Sequence, residues 1–531
     1  MTRRGALLLA AITVVGAAVR FWGIGFGLPH TYARPDEDAI VTIATRIYRD
    51  GPNPHFFVYP TLYLYVMAFA YEMYYAALSM TGHTLTASAF IDRVATDPAP
   101  FYLISRIVAA ILGTATVPVL FQAARRLFDV RTATIAAALL TGAFLHVRDS
   151  HFGVTDIPAT FMATLAFWAI VAHDVDRTRW TNVLGAGALC GLAGSTKYNA
   201  VLVALPLFVR ILQQSRSEAH RARWASALCL LACCGIAAGF LAGTPFSLID
   251  SRLFLSELRG VQVHFLGGHG ADLGHGWTYH LTGSLRYGVG APMLAAALLG
   301  GVWLAWARPA TALVVLSFPV AYYVVIGAGR TVFIRYVDPI LPFACLLAGI
   351  TVARVATRVA RMDDRRTAAL ATLLTGALAS PSASRVVAFD RFITRRDNRL
   401  IAAEWLESAF PAPSSLCQTG SPYGWLQSSP PGRFPACDFD PASGILSVPG
   451  STQPAQLVVI QHSPLAAYPG VPEDAMSTLR GSYQSIKRFP VDQPSRDPAP
   501  VYDEQDAFFA PLDGFDHLSR PGPAFEVFQR R

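Results

Sequence analysis

Residues 101–122 read FYLISRIVAAILGTATVPVLFQ, an apolar run of 22 residues in which Arg106 is the only charged side chain. An α-helix rises about 1.5 Å per residue, and the hydrocarbon core of a bilayer is about 30 Å thick. A helix of this length can therefore cross the bilayer. The run predicts a transmembrane helix.

Apolar runs of this kind recur from Gly5 to about Ala383, which predicts a polytopic membrane protein. Only 15% of the 531 residues are charged, against about 25% in a typical soluble domain. The first run, residues 5–22, follows Arg3 and Arg4 and lacks a clean small-residue cleavage site at its far end. We interpret it as a retained first helix rather than a cleaved signal.

We predict eleven membrane spans, with the N-terminus inside. They are residues 5–22, 101–122, 132–148, 153–172, 182–197, 199–213, 224–243, 290–306, 310–327, 336–353 and 367–383. This arrangement puts the arginine clusters on the inner side, as the positive-inside rule requires. Those arginines are Arg125, Arg126, Arg131, Arg177, Arg179, Arg216, Arg221, Arg223, Arg308, Arg354, Arg358, Arg361, Arg365 and Arg366.

Residues 61–80 form one apolar stretch that we leave out of the spans. It holds six aromatic side chains and one acid, Glu72. A crossing here would move the later arginine clusters to the outside, so the stretch is predicted to be a re-entrant or interfacial helix on the outer surface.

The charge distribution divides the chain into a predicted transmembrane catalytic domain, residues 1–383, and an extracytoplasmic C-terminal domain, residues 384–531. The first part holds 30 basic and 19 acidic side chains, and the second 13 and 16. In the tail, Asp397 can cap a helix to about Phe410, and residues 456–461 are typical of a buried strand. The predicted fold is an all-α polytopic membrane protein with a small α/β C-terminal domain.

Five cysteines lie in apolar runs and are predicted to be small buried hydrophobic residues. Cys417 and Cys437 are the only two in the polar tail. A disulfide between them is permitted if the tail faces an oxidising compartment; the sequence leaves this question open.

The first predicted outer loop contains three acids, Asp36, Glu37 and Asp38, at the start of a helical pattern. One interpretation is structural, because acids at a helix N-terminus cap it and interact favourably with its dipole. The other is functional: a carboxylate at the membrane surface can serve as a general base, because partial desolvation moves its pKa toward the working pH.

These acids, followed by YPTLY at residues 59–63, resemble the start of the GT-C glycosyltransferases. More narrowly, the chain is similar to glycosyltransferase family 39 and its relatives, which include the dolichyl-phosphate-mannose protein mannosyltransferases and the lipid A aminoarabinose transferases. Five further segments resemble the family in order and spacing, so that the similarity covers residues 1 to about 410. They are SRIVAAILG at 105–113, HFGVTDIPAT at 151–160, GSTKYN at 194–199, RYVDPILP at 335–342 and NRLIAAEWL at 398–406.

The resemblance implies a polyprenyl-phosphate-linked sugar as donor and an acid of the first outer loop as the base that activates the acceptor hydroxyl. That role falls on Asp36, with Glu37 as the second choice. Asp156 matches the family's second acid near the outer surface. It is interpreted either as a substrate-orienting residue or as a cap of the helix that contains Pro158.

Lys197 is the only lysine before Lys487 and lies near the outer end of a predicted span. Such a cation needs a partner. Either it snorkels to the lipid headgroups, or it contacts the donor phosphate, alone or with Arg106 or Arg335, and stabilises charge on the departing group.

Residues 263–277, in the second long outer loop, contain three histidines, His264, His269 and His275, together with Asp272. The glycines between them indicate a loop over a cleft, and His269 is our candidate for substrate contact. A hydrated loop without a role and a metal site are the alternatives, although the spacing fits no tight zinc pattern.

The sequence thus predicts an inverting glycosyltransferase of the cell (inner) membrane, with its active site facing the periplasm or exterior. Its partners would be a polyprenyl-phosphate-linked sugar, a glycan, lipid or protein acceptor, and membrane lipids. No cofactor is implied, no metal is required, and no basic stripe points to nucleic acid. The rival function is a lipid or sugar transporter, or a non-catalytic membrane scaffold.

Overall fold

The computed structural model describes most of the chain. The described residues are 3–82, 86–172, 180–214, 221–361, 363–411, 414–428, 432–440, 445–451, 453–465, 468, 471, 473–495 and 499–531. Three of the predicted inner-loop arginines, Arg177, Arg179 and Arg216, lie outside them.

Two compact units make up the molecule. The helical unit comprises Met1–Ile24, Ala39–Ile91 and Leu103–Val387, and the mixed unit comprises Gly25–Asp38, Asp92–Tyr102 and Ala388–Arg531. Each is described on its own below.

Helices account for nearly all regular structure up to residue 393. They are α1 (Arg3–Phe21), α2 (Glu37–Asp50), α3 (Leu62–Met80), α4 (Ala87–Thr96), α5 (Ala99–Leu127), α6 (Val130–Thr141), α7 (Phe144–Asp149), α8 (Asp156–Ala172), α9 (Trp180–Gly194), α10 (Ala204–Gln214), α11 (Arg221–Gly243), α12 (Phe246–Ile249), α13 (Ser251–Gly267), α14 (Gly276–Tyr279), α15 (Arg286–Val289), α16 (Ala291–Ala307), α17 (Pro309–Gly327), α18 (Leu341–Val359) and α19 (Asp364–Ile393). Tyr198–Val203 and Ile334–Ile340 are 3₁₀ turns, and His280–Leu285 is a π-helical turn.

Five helical segments in the described part of the chain are long and apolar enough to cross a membrane. They are Arg3–Phe21, Ala99–Leu127, Ala222–Gly243, Pro309–Gly327 and Ile334–Val359. A sixth is possible if Gly276–Val289 and Ala291–Ala307, which meet at a bend of 111°, form one broken span. The figure of eleven spans stays a prediction.

Two predicted spans are interrupted in the structure. The prediction of one helix over residues 132–148 is wrong, because α6 ends at Thr141 and α7 begins at Phe144. The break follows Gly142, a residue with poor helix propensity. Likewise, the stretch predicted as a span at 199–213 begins as a 3₁₀ turn and becomes α-helical only at Ala204.

Small residues bring α9 and α11 into close contact. A Cβ atom added to Gly187 would lie 2.6 Å from the carbonyl oxygen of Ala232, and one added to Gly235 would lie 2.5 Å from that of Leu184. Such small-residue contacts let helix backbones approach where lipid provides no hydrophobic driving force. They fix the end of α9, after which the chain turns toward Lys197.

Residues 61–80, predicted to form a helix that does not cross, contain the continuous helix α3. Its start is tied to the ends of two other helices: Leu62 N donates to the Ser195 carbonyl at 3.1 Å, and Thr61 Oγ1 donates to the Gly243 carbonyl at 2.8 Å. Its position relative to a membrane stays a prediction.

The mixed unit contains a four-stranded sheet. Its strands are β1 (Leu416–Gln418), β4 (Leu457–His462), β5 (Tyr483–Phe489) and β6 (Ala524–Arg530), in the order β1-β4-β6-β5. Only β1 and β4 are parallel, and β2 (Asp438–Asp440) pairs with β3 (Ile445–Ser447) in a separate hairpin. The strand predicted at residues 456–461 is β4.

Apolar clusters pack on both faces of this sheet. On one face, Ala402 and Leu406 of α20 (Asn398–Ala409) pack with Val459 and Val527. On the other face, Leu479 of α21 (Glu473–Ser482) packs in a cluster with Val458, Ile460 and Phe528. The predicted Asp397 cap is observed, because its side chain accepts from Arg399 N. Cys417 and Cys437, left open by the sequence, form a disulfide.

Candidate active site

Three of the predicted site residues form an ion network in the helical unit. The Lys197 ammonium bonds to Oδ1 of Asp156, and Nε of Arg335 lies 3.7 Å from Oδ2 of the same carboxylate. The side chains of Lys197, Asp156 and Arg335 are 16%, 5% and 8% exposed. Removal from water strengthens the attraction between such charges. The network is therefore a desolvated site with two cations and an acid between them.

Lys197 is positioned by the turn that ends α9. Lys197 N still donates to the Ala193 carbonyl at 3.1 Å, but its backbone is extended, so the chain changes direction at this residue. On one side, Ser195 Oγ shares a 2.6 Å hydrogen bond with Thr244 Oγ1. On the other side, the Tyr198 hydroxyl donates to the Phe57 carbonyl at 2.6 Å. The polar residues of GSTKYN thus hold the turn.

Asp156 is the first residue of α8, and the loop before it is held against α5 by reciprocal contacts between glycine and serine. A Cβ atom on Gly153 would lie 2.7 Å from Cβ of Ser105, and one on Gly113 would lie 3.0 Å from Cβ of Ser150. The first pair joins the motifs at 105–113 and 151–160, and the second joins the motif at 105–113 to Ser150, the residue just before the other motif. The two motifs therefore fix the position of the Asp156 carboxylate.

Aromatic rings surround the two cations. Lys197 Nζ lies 4.7 Å from the centre of the Tyr336 ring, and the Arg335 guanidinium lies 4.0 Å from the centre of the Phe333 ring. His269 packs against Phe333 with ring centres 5.2 Å apart. Cation–π contacts of this kind hold a cation without neutralising it. His269 therefore lies beside the ring that contacts Arg335, and its contact with substrate stays a prediction.

Two buried acids that we did not predict complete the network. Asp338 is fully buried, and its carboxyl interacts electrostatically with Asp149, Asp156 and Lys197. Asp149 is itself paired with Arg148 at 2.5 Å. Asp338 could have been found from the sequence, because it is the acid in RYVDPILP, one of the segments that resemble the family. Asp149 lies between Arg148 and Ser150, and nothing in the sequence around it predicted a buried acid.

Arg106 is held by a different contact. Its side chain is fully buried, and Nη1 donates to the Ile24 carbonyl at 3.1 Å. A guanidinium has five donors, so this bond satisfies only part of its capacity. The structure therefore places a buried cation on α5, as the resemblance implied, with a backbone carbonyl as one partner.

The histidine segment begins in α13, which contains His264, and two hydrogen bonds to backbone carbonyls hold its start. Thr331 Oγ1 donates to the His264 carbonyl at 2.6 Å, and Arg330 N donates to the Phe265 carbonyl at 3.0 Å. His264 and His269 pack ring against ring at 5.2 Å. Within the described ranges, no group of three or more His, Cys, Asp or Glu side chains could hold a metal ion.

Asp36 and Glu37 lie in the mixed unit, at the start of α2. Asp36 has a φ angle of 70°, an uncommon left-handed conformation for a residue other than glycine. It is half-buried, whereas Glu37 is fully buried. Burial raises the pKa of the Tyr423 hydroxyl, and the charges of Asp36, Asp38 and Asp506 raise it further. The Asp36 carboxylate thus acts electrostatically on a phenol.

The loop that leads to Asp36 is fixed by buried polar contacts. Arg34 forms a buried ion pair with Asp506 at 2.8 Å. His30 Nε2 donates to the Trp425 carbonyl at 2.7 Å, and Tyr32 N donates to His30 Nδ1 at 3.2 Å, which requires a neutral imidazole. Burial, followed by the charge of Arg399, lowers the pKa of His30 to about 3. The candidate base is therefore held by a rigid segment.

Comparison with known proteins supports the resemblance drawn from the sequence. Residues 103–240 match the family described as dolichyl-phosphate-mannose-protein mannosyltransferase. This match contains Arg106, Asp156 and Lys197. No curated protein matches the chain in sequence.

Several solved structures share the fold. ArnT from Cupriavidus metallidurans in the apo state is 16% identical, with 98% of this chain and 97% of that chain covered and a TM-score of 0.56. The oligosaccharyltransferase AglB from Archaeoglobus fulgidus, in complex with an inhibitory peptide and a dolichol-phosphate, is 11% identical, with 99% and 88% covered and a TM-score of 0.51.

The apo Archaeoglobus fulgidus oligosaccharyltransferase gives 13% identity and a TM-score of 0.50, with 77% of this chain covered; the chain spans 58% of that protein's length. This chain shares the fold of these solved structures, and the resemblance predicted from the sequence is confirmed.

Proposed function

We propose that this chain is a membrane glycosyltransferase that moves a sugar from a polyprenyl-phosphate donor to an acceptor, with inversion at the anomeric carbon. The observation that carries the proposal is the desolvated pair of cations, Lys197 and Arg335, in a chain with the GT-C fold. One structure of this fold, that of AglB, contains a dolichol-phosphate.

Lys197 and Arg335 are proposed to bind the donor phosphate, with Arg106 as a further cation and Asp156 and His269 as orienting groups. Charge builds up on the phosphate as its bond to the sugar breaks, so fixed cations in a desolvated site stabilise the transition state. Arginine suits phosphate because its fork can donate two parallel hydrogen bonds.

Asp36 is proposed as the general base. The acceptor oxygen attacks the anomeric carbon, its proton passes to the Asp36 carboxylate, and the bond between carbon and phosphate oxygen breaks with its electron pair remaining on the polyprenyl phosphate. Asp36 is preferred to Glu37 because it is partly exposed, whereas Glu37 is fully buried and a base must reach the proton it accepts.

The site is proposed to face the outer side of the cell (inner) membrane, with residues 1–383 as the catalytic domain and residues 384–531 as an extracytoplasmic domain. The acceptor is a glycan, a lipid or a protein hydroxyl. The basis is the distribution of arginines along the chain.

The experiment is a transfer assay with the purified full chain in lipid nanodiscs, supplied with undecaprenyl-phosphate-linked mannose or arabinose and an extract of cell-envelope glycans and glycolipids. Sugar transferred to any acceptor, with release of undecaprenyl phosphate, supports the proposal. Movement of the intact donor across the bilayer without cleavage of its sugar–phosphate bond would instead establish a transporter.

A further inference from the structure

The Asp156 carboxylate has a cation at each of its two oxygens, since Lys197 bonds to Oδ1 and Arg335 lies near Oδ2. Two oxygens of a phosphate would present the same pattern to these two cations. All three side chains are at most 16% exposed, so the two cations have lost most of their hydration and need an anionic partner. The carboxylate occupies the position that an anionic ligand of these cations would need.

The two contacts differ in strength. Nε of Arg335 lies 3.7 Å from Asp156 Oδ2, which is beyond the range of about 2.7 to 3.2 Å for a hydrogen bond to nitrogen. This pair therefore lacks the bidentate geometry in which arginine binds carboxylates and phosphates most strongly. Asp156 holds Arg335 by charge alone and is a weaker partner for it than a phosphate would be.

The surroundings of Asp156 are acidic. Asp338 interacts electrostatically with both Asp156 and Asp149, and Asp149 already has Arg148 as its partner. An anion that joins this cluster meets attraction from Lys197 and Arg335 and repulsion from the Asp156 carboxylate that already pairs with them. Because this carboxylate contacts the same two cations, its charge directly opposes the binding of that anion.

We infer that Asp156 is an internal counter-anion: it occupies Lys197 and Arg335 in the free protein, and polyprenyl phosphate binds by taking these cations from it. The inference rests on the proposed function. It adds that Asp156 weakens the binding of phosphate instead of strengthening it.

This role has a consequence for turnover. The donor is a phosphate diester with one negative charge, whereas the product is a monoester that carries about 1.5 to 2 negative charges at pH 7, as phosphorylated side chains do. Two fixed cations therefore bind the product more tightly than the donor. The Asp156 carboxylate offsets this preference, because it pairs with Lys197 and Arg335 again as the polyprenyl phosphate leaves.

The test measures binding of farnesyl monophosphate, a short isoprenyl phosphate, to the purified full chain by isothermal titration calorimetry. Asp156→Asn removes the charge but keeps the shape, and we expect it to bind the probe about tenfold more tightly than the wild type. Asp156→Ser, which is also neutral and is favoured at a helix start, should show the same gain if the asparagine variant does not fold.

Two matched controls accompany these variants. Asp156→Glu retains the charge and should bind no more tightly than the wild type. Asp50→Asn removes an acid whose ion pair with Arg49 is about half exposed, and it should leave binding unchanged. Farnesol, which lacks the phosphate, should bind equally to all variants.

The outcomes separate the two proposals. Equal or weaker binding by folded Asp156→Asn and Asp156→Ser, with clear binding by the wild type, would overturn the counter-anion role and leave the phosphate site in place. No binding by any variant would overturn both. Binding by the neutral variants alone would support the inference, because Asp156 would then exclude the probe from the wild type.

Discussion

Lys197 and Asp156 lie 41 residues apart in the chain, and their side chains form a buried ion pair between the turn that follows α9 and the first residue of α8. Breaking such a pair by removing one partner leaves an uncompensated buried charge, which destabilises a protein by about 3 to 5 kcal/mol. A neutral pair of side chains of similar shape would cost less free energy to bury. The use of a charged pair at this buried place therefore favours a role in binding an anion.

Asp36→Asn should abolish transfer while the protein stays folded. The amide keeps the shape of the carboxylate but cannot accept a proton, and general base catalysis contributes about 100- to 10,000-fold. Sugar transfer is measured beside donor binding, which should be unchanged. An Asp36→Asn enzyme with near wild-type turnover would remove Asp36 as the base and make Glu37 the next residue to test.

Lys197→Ala should weaken binding of a polyprenyl-phosphate sugar by about tenfold to a hundredfold, because a hydrogen bond to a charged group contributes about 1.5 to 3 kcal/mol. Lys197→Arg should retain part of the affinity, since its charge survives with a different geometry. A lysine that only snorkels to headgroups gives another result: the alanine variant would fold less well, but the folded fraction would bind donor normally.

The residues of the ion network could be named from the sequence, but its geometry could not. Lys197 drew attention because a cation near a membrane span needs a partner, and Asp156 and Arg335 because their motifs resemble a family. Which acid pairs with Lys197 depends on how α8 and α9 pack, and helix periodicity does not contain that information. Asp338 lies in a motif that was singled out but was not itself chosen, and Asp149, between Arg148 and Ser150, showed no pattern that predicts a buried acid.

Secondary structure was predictable where long apolar runs or strong caps mark it. The start of α2 at Glu37 and the Asp397 cap of α20 both agree with the structure. The interruptions at residues 142–143 and 198–203 were missed, because hydropathy averaged over a span does not register a local change of backbone direction. The disulfide between Cys417 and Cys437 could not be predicted, because it depends on where β1, which contains Cys417, lies relative to the segment that contains Cys437.

The predicted topology can be checked with impermeant thiol reagents on intact cells, in a background with the native cysteines replaced. Thr86→Cys and Ser414→Cys should both be labelled, because the arginine clusters place both positions outside. Asp364→Cys, at a position whose side chain is 96% exposed, should be labelled only after permeabilisation. Labelling at one of the two outer positions without the other would contradict the predicted number of membrane crossings between them.

Gly153→Ala should destabilise the protein by about 1 to 3 kcal/mol, the usual range for overpacking. The added methyl would lie 2.7 Å from Cβ of Ser105, and the displaced loop carries Asp156. Gly376→Ala is the matched control, because no atom lies within 4 Å of its added Cβ. Thermal unfolding of both variants is the measurement; equal midpoints would show that the contact with Ser105 does not constrain the loop.

The fold should lose stability as the pH falls below about 6.5, and His30 should contribute to this loss. Its pKa is lowered to about 3 by burial and by Arg399, whereas an exposed histidine in the unfolded chain titrates near 6.5. The unfolded state therefore binds one more proton between these values. The contribution of neutral His30 is fully present above pH 6.5 and decreases by about 1.4 kcal/mol per pH unit below it.

His30→Gln, which keeps a donor for the Trp425 carbonyl, should unfold with a shallower pH dependence between pH 7.5 and 5. His462→Gln, at a position about half exposed, serves as the control. Equal slopes for wild type and His30→Gln in tryptophan-fluorescence melts would show that His30 is not the group that senses pH.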